Sequence, residues 1–181
     1  MIIHFDDGRE PVYKYRDIFK DFKGSIVWFI STSTIGKKQE GNRYYTPHNY
    51  ATWDQIRECR DLGWEIGNHS HEHKRFIAMT EEEMIYNIEK SQKIFQDELG
   101  EKPTKFAYPF GKFDAKTEEV VMRYFDYRRN TKREDGNYGV YKERPEQLTD
   151  KELLIFHSLV EKNPKSCEYK VDELKKLLCM I

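Results

Sequence analysis

Two short stretches carry side chains able to do chemistry together. Ile2-Ile3-His4-Phe5 is an apolar run that stops at Asp6-Asp7-Gly8, and Trp64-Glu65-Ile66-Gly67 is a second run that delivers His69-Ser70-His71-Glu72-His73. Three of the six histidines of the chain thus fall in one pentapeptide. An Asp with two His, leaving coordination positions open, is a competent site for a catalytic divalent metal, most simply zinc. Such an ion lowers the pKa of a coordinated water toward about 7 and polarises a carbonyl. A carboxylate beside the ligands can take the proton of that water. The working assignment is Asp7, His69 and His73 as ligands and Asp6 as base. Spacing alone leaves the histidine pair open: 69, 71 and 73 share a face if the backbone is extended, 69 and 73 if it is helical. Asp6 and Asp7 would point to opposite sides of a regular strand, but Gly8 favours an irregular turn in which both reach one site.

Further candidates stand at the ends of other apolar runs. Phe106-Ala107-Tyr108-Pro109-Phe110-Gly111 reads as a strand breaking into a turn, because Pro109 cannot donate to a ladder. Leu153-Leu154-Ile155-Phe156 reads as a buried strand ending at His157, whose ordinary pKa suits a general acid. The remaining polar candidates have plainer readings. His4 packs or bonds locally, His48 is a surface residue, Glu72 faces solvent, and Arg128-Arg129-Asn130-Thr131-Lys132-Arg133 is a solvated loop.

The elements that must hold these groups alternate strand and helix. Pro11 to Phe22 has helical spacing, with Tyr15, Ile18, Phe19 and Phe22 on one side. Ser25 to Ile30 is an apolar run suited to a strand covered on both faces. Residues 31–50 are polar and turn-rich. Thr52 with Gln55 and Thr80 with Glu83 form capping boxes that open helices, the second running to about Leu99 before Gly100. Asp114 caps a helix to about Tyr124, Phe125-Asp126-Tyr127 begins a strand, and Val171, Leu174, Leu177 and Leu178 mark a last helix. This alternation predicts a parallel sheet with outer helices, either an open wound sheet or a barrel, with the candidate residues gathered on one rim.

Composition narrows the class. The 181 residues suit one domain, 1–181, and the net charge of −1 argues against a nucleic-acid partner, which needs a basic excess on one face. No stretch approaches the roughly 18 apolar residues of a membrane span. Cys59, Cys167 and Cys179 are an odd, widely spaced set, read as reduced thiols. No signal-peptide pattern opens the sequence, which gives a cytoplasmic expectation.

Taken in order, Phe5-Asp6-Asp7-Gly8, Gly67-Asn68-His69-Ser70-x-x-His73, Tyr108-Pro109-Phe110-Gly111 and Ile155-x-His157 resemble the motifs of the NodB-homology polysaccharide deacetylases, carbohydrate esterase family 4. The resemblance runs from residue 3 to about residue 160. It implies a distorted (β/α) barrel and a metal-dependent hydrolase that removes N-acetyl groups from an amino sugar in a chitin oligomer, peptidoglycan or surface glycan. It assigns Asp6 as base, Asp7, His69 and His73 as ligands of a divalent metal (zinc, or cobalt, nickel or manganese), and His157 as acid. It makes the backbone N–H of Phe110, after Pro109, a donor to the oxyanion, and it places Ile155 in the acetyl pocket. Two departures stand out. Ala107 occupies the place where the family carries an arginine that orients the base, and the family's Asp-Trp pair is not found between residues 126 and 150. These motivate two alternatives, an O-acetyl ester hydrolase and a weakened glycan-binding protein. Many family members are secreted, in contrast to the expectation from this N-terminus.

Overall fold

A computed structural model describes residues 2–41, 47–130, 153–156, 158–160 and 168–179, with only the backbone described for 153–156, 158–160, 168–170, 173 and 177. The strands are β1 (Ile2–Phe5), β2 (Ser25–Ile30), β3 (Lys38–Gln39), β4 (His48–Asn49), β5 (Glu65–Asn68), β6 (Lys105–Ala107), β7 (Tyr127–Arg129), β8 (Leu153–Phe156), β9 (Ser158–Val160) and β10 (Glu168–Lys170). The helices are α1 (Glu10–Lys14), α2 (Trp53–Asp61), α3 (Glu81–Leu99), α4 (Ala115–Met122) and α5 (Val171–Leu178).

Six strands make one parallel sheet in the order β7-β6-β5-β2-β1-β8. Parallel neighbours need crossover connections; α1 with the turn after it joins β1 to β2, and α2, α3 and α4 lie in the next three, from β2 to β5, β5 to β6 and β6 to β7. α2, α3 and α4 begin with reciprocal capping boxes: Thr52 with Gln55, Thr80 with Glu83 and Asp114 with Thr117. Gly100 stops α3 in the left-handed conformation, at φ 77°. The helix expected from Pro11 to Phe22 is instead the short α1 followed by a 3-10 turn at Arg16–Phe19. The stretch expected to be irregular at 31–50 holds the antiparallel pair of β3 and β4, where His48 is half-buried with its ring 5.2 Å from that of Tyr50.

The sheet separates two apolar layers by the period-two alternation of its strands. Ile3, Phe5, Ile26, Trp28, Ile30 and Ile66 face one side, where they meet Trp64, Ile56, Phe95 and Leu174. Val27, Phe29 and Ala107 face the other, with Ile2 and Tyr127 packed against them. His4 belongs to this second layer and meets Phe29 edge-on at 5.1 Å and Tyr127 at 6.0 Å. Gly67 is there because a Cβ at that position would collide with the Phe29 ring.

The second layer is concave. In a flat sheet with strands about 4.8 Å apart, β1 and β7 would lie roughly 19 Å from each other. Yet Arg129 at the end of β7 reaches the carboxylate of Asp6 just after β1. The sheet therefore curls, as the expected distorted (β/α) barrel requires. No helix among the described residues is long and apolar enough to cross a membrane.

Candidate active site

The site is assembled where strands end. Phe5 closes β1, and the chain then turns sharply: Asp7 has φ 70°, Gly8 has φ 78°, and Gly8 N–H donates to the Asp6 carbonyl at 2.9 Å. This irregular turn lets both acidic residues be buried at the same rim. Ala51 N–H anchors it by donating to the Gly8 carbonyl at 2.9 Å.

Asn68 closes β5 and fastens the loop that follows. Its side chain donates to Ser91 Oγ on α3 at 2.8 Å and accepts from Ser70 N–H at 2.7 Å. His73 N–H donates to Ser70 Oγ at 3.1 Å, and Ser31 Oγ donates to the His69 carbonyl at 2.8 Å. Asn87, one turn before Ser91, accepts from Glu72 N–H at 2.9 Å and donates to the Glu72 carboxylate at 3.2 Å. That bond, followed by the Lys74 ammonium, lowers the Glu72 pKa.

These constraints bring Asp7, His69 and His73 together, with one potential ligand atom from each lying within 4.8 Å of the others. Asp7 Oδ1 is 3.4 Å from His69 Nε2 and 3.1 Å from His73 Nε2. His69 Nδ1 is 2.7 Å from the Ala107 carbonyl. A carbonyl can only accept, so Nδ1 carries the proton and Nε2 presents its lone pair to the cluster. This is the tautomer a metal-binding histidine needs, fixed by a backbone oxygen. The donor set, two imidazoles and a carboxylate, fits a divalent transition ion. His71 lies outside the cluster, with Nδ1 2.8 Å from Thr32 Oγ1 and its pKa lowered by burial.

The other predicted residues divide. Asp6 is 1% exposed and is held by Arg129. Pro109 and Phe110 lie in a 3-10 turn after β6, where Phe110 has φ 60° and ψ 10° and its ring is 46% exposed. That ring lies 4.8 Å from the His73 ring and 5.1 Å from the Arg75 guanidinium. Ile155 lies in β8, its Cα paired with that of His4, and its side chain is outside the described residues. His157 is outside them as well.

Three basic residues enter that sequence reasoning did not place. Arg9 is buried and forms an ion pair with Asp7 Oδ2 at 3.2 Å. Arg128 pairs with Glu118, and Arg129, 1% exposed, pairs with Asp6. The reading of residues 128–133 as a solvated loop is therefore wrong at its first three positions: β7 carries Arg128 and Arg129 into the fold, where both meet carboxylates, and Asn130 after it is buried. Residues 131–133 lie outside the described residues. Asn87 and Ser91 had a legible signal, since they interrupt the apolar stripe of α3 four residues apart.

Beside His73 and Phe110 opens a groove of about 830 Å³, lined also by Arg75, Met79, Glu82 and Tyr86.

Comparison with known proteins agrees with this architecture. The family model described as polysaccharide deacetylase matches residues 1–128. A peptidoglycan deacetylase of Helicobacter pylori (strain ATCC 700392 / 26695) is 28% identical over 117 residues, 65% of this chain and 35% of that protein. The chain thus spans about a third of the length of this curated relative. Among solved structures, IcaB from Ammonifex degensii superposes with a TM-score of 0.64 at 20% identity, covering 98% of this chain and 71% of that one. The peptidoglycan deacetylase PdaC from Bacillus subtilis gives 0.59 at 22% identity, covering 87% and 74%. These two likenesses are of fold, a curled parallel sheet with outer helices. With the family model matching well over half of its length, the chain belongs to the polysaccharide deacetylase family.

Proposed function

We propose that the chain is a metal-dependent N-deacetylase acting on an N-acetylated amino sugar within a glycan, and peptidoglycan is the first substrate to test. The observation that carries this reading is the convergence of Asp7 Oδ1 with the Nε2 atoms of His69 and His73, with the His69 tautomer set by the Ala107 carbonyl. The Helicobacter pylori peptidoglycan deacetylase that the sequence resembles supports the substrate class.

Asp7, His69 and His73 would hold one divalent ion, with zinc first and cobalt, nickel or manganese as alternatives. When bound, the ion supplies a lowered water pKa and a positive charge opposite the acetamide oxygen. The residues supply the rest. Asp6 takes the proton of the attacking water. The Phe110 N–H donates to the oxygen as it gains charge, a contact worth more in the transition state than in the ground state. His157 gives a proton to the leaving nitrogen, the C–N bond breaks, and acetate and a free amino sugar result. The exposed rings of Phe110 and Tyr86 along the groove offer apolar faces for sugar rings to lie against, with polar residues between them.

The test is acetate release from chitin oligomers, peptidoglycan fragments and acetylxylan, with and without chelator. Chelator-sensitive release from an N-acetylated substrate is expected. Release from acetylxylan alone would replace this reading with ester hydrolysis. Asp6→Asn should abolish release with metal content unchanged, and His69→Ala should lose the metal. A fully active Asp6→Asn protein would remove Asp6 as the base.

A further inference from the structure

We propose that Arg129 is the positioning residue for Asp6, and that Ala107 and Arg129 act as a matched pair: the arginine absent from the end of β6 is supplied by the end of the next strand. The inference rests on the deacetylase reading above and deepens it.

The geometry is set by register. Ala107 and Arg129 are Cα partners in the parallel pairing of β6 and β7, so their side chains leave the sheet on the same face. That face is the concave one. Ala107 is buried there and offers no donor beyond its backbone, whose carbonyl fixes the His69 tautomer. The Arg129 side chain passes over the Phe29 ring, with the guanidinium carbon 4.8 Å from the ring centroid, and ends on Asp6 Oδ1. The backbone of Arg129 is fixed as well, since its carbonyl accepts from Tyr108 N–H at 2.9 Å. One strand thus ties the base to the turn that carries Phe110.

Stability alone is a poor explanation for this contact. Arg129 and Asp6 are each 1% exposed. A buried ion pair is often no better for folding than well-packed apolar residues of the same volume. The contact comes from Nη2 alone, yet a charge-assisted N–H···O bond from a rigid, planar guanidinium laid over the Phe29 ring still confers direction, because it sets the rotamer of the carboxylate it meets. A base one residue from a metal ligand needs that direction, and a misplacement of about 1 Å can cost roughly 100-fold in rate.

The experiment compares wild type, Arg129→Ala, Arg129→Lys and the double variant Ala107→Arg/Arg129→Ala. Each is measured for kcat and KM of acetate release, metal content and thermal melting. Arg129→Ala should lower kcat by roughly 100-fold, with KM within a factor of about three and metal content unchanged. Added methylguanidinium should recover part of the rate. Arg129→Lys keeps the charge and loses the rigid planar guanidinium, so it should fold like wild type and still lose at least about tenfold in kcat. The double variant, which moves the arginine one strand closer, should recover at least about tenfold over Arg129→Ala. Wild-type kcat in Arg129→Ala or Arg129→Lys, or a loss confined to KM or to metal content, overturns the proposal and leaves the deacetylase reading standing. A metal-loaded wild type that releases acetate from no substrate overturns both. If Arg129→Ala does not fold, Arg129→Lys and the double variant decide the matter.

Discussion

Asp7 has two carboxylate oxygens, and they face different partners. Oδ1 meets both histidines, and Oδ2 meets Arg9. The arginine thereby leaves Asp7 one oxygen facing the histidines and fixes the direction in which it is offered. Partners of this kind typically change metal affinity by about 10–100-fold when removed. Arg9→Met should therefore weaken retention of zinc within that range in a chelator competition, with the fold intact by circular dichroism. Unchanged retention would reduce Arg9 to a packing role. At this scale the acidic pair and the histidine cluster were legible because metal chemistry restricts residue types so strongly. The choice of His73 over His71 was not legible from spacing. It depends on the left-handed turns at Ser70 (φ 67°) and His73 (φ 53°), which turn the His73 ring toward Asp7 while His71 reaches Thr32. Arg129 was unreadable for another reason. Its partner lies 123 residues away, and a run of basic residues looks the same from sequence whether solvated or buried.

Helix α3 does two jobs. Its apolar stripe, with Met84, Ile88 and Phe95, packs the outer face of the sheet, and Asn87 and Ser91 grip the loop that carries the histidines. The two jobs separate by mutation. Thr80→Ala removes the N-cap and should cost about 1 kcal/mol of unfolding free energy without changing metal retention. Asn87→Ala should cost a similar amount, about 1–2 kcal/mol for a lost part-buried acceptor, and should also weaken metal retention, because Glu72 and the loop beside it are released. Urea unfolding with metal analysis on both variants checks the distinction. Equal metal retention in the two would assign Asn87 to folding only. Helices α2, α3 and α4 were readable, since each starts with a side-chain cap of fixed spacing and follows an amphipathic pattern. The region before Phe22 was misread as one helix because its aromatic spacing fits a helix, while Tyr15 leaves helical geometry at φ −101° and ψ 14°.

For the whole molecule the informative residue is His4, buried in the concave layer with no way to be solvated. Burial first, then the Arg129 and Lys105 charges, hold its pKa well below the ordinary imidazole value. The folded chain keeps it neutral, whereas the unfolded chain takes up a proton near pH 6.5. Stability from this group is thus full above about pH 6.5 and falls as pH drops below it, by up to about 1.4 kcal/mol per unit. His71, also lowered by burial, acts in the same direction. His4→Phe should flatten but not abolish the loss between pH 7.5 and 5.5 in urea midpoints, and an unchanged slope would show that His4 is not its source. The parallel sheet and its rim were legible from strand–helix alternation. Alternation alone left open sheet and barrel as alternatives; the motif resemblance implied the barrel, and the contact between the ends of β1 and β7 shows the curl. One feature of that rim has a thermodynamic corollary. The non-glycine residues with positive φ among the described residues are Asp7, Ser70, His73 and Phe110, and all four line the site. Each such conformation costs about 1–2 kcal/mol and persists only because its surroundings impose it. Linkage is reciprocal: if the site takes the proposed ion, a fold that holds the ligands in place beforehand would itself be tightened on binding, by the same free energy. Metal occupancy and the shape of the rim would then be one equilibrium seen from two sides.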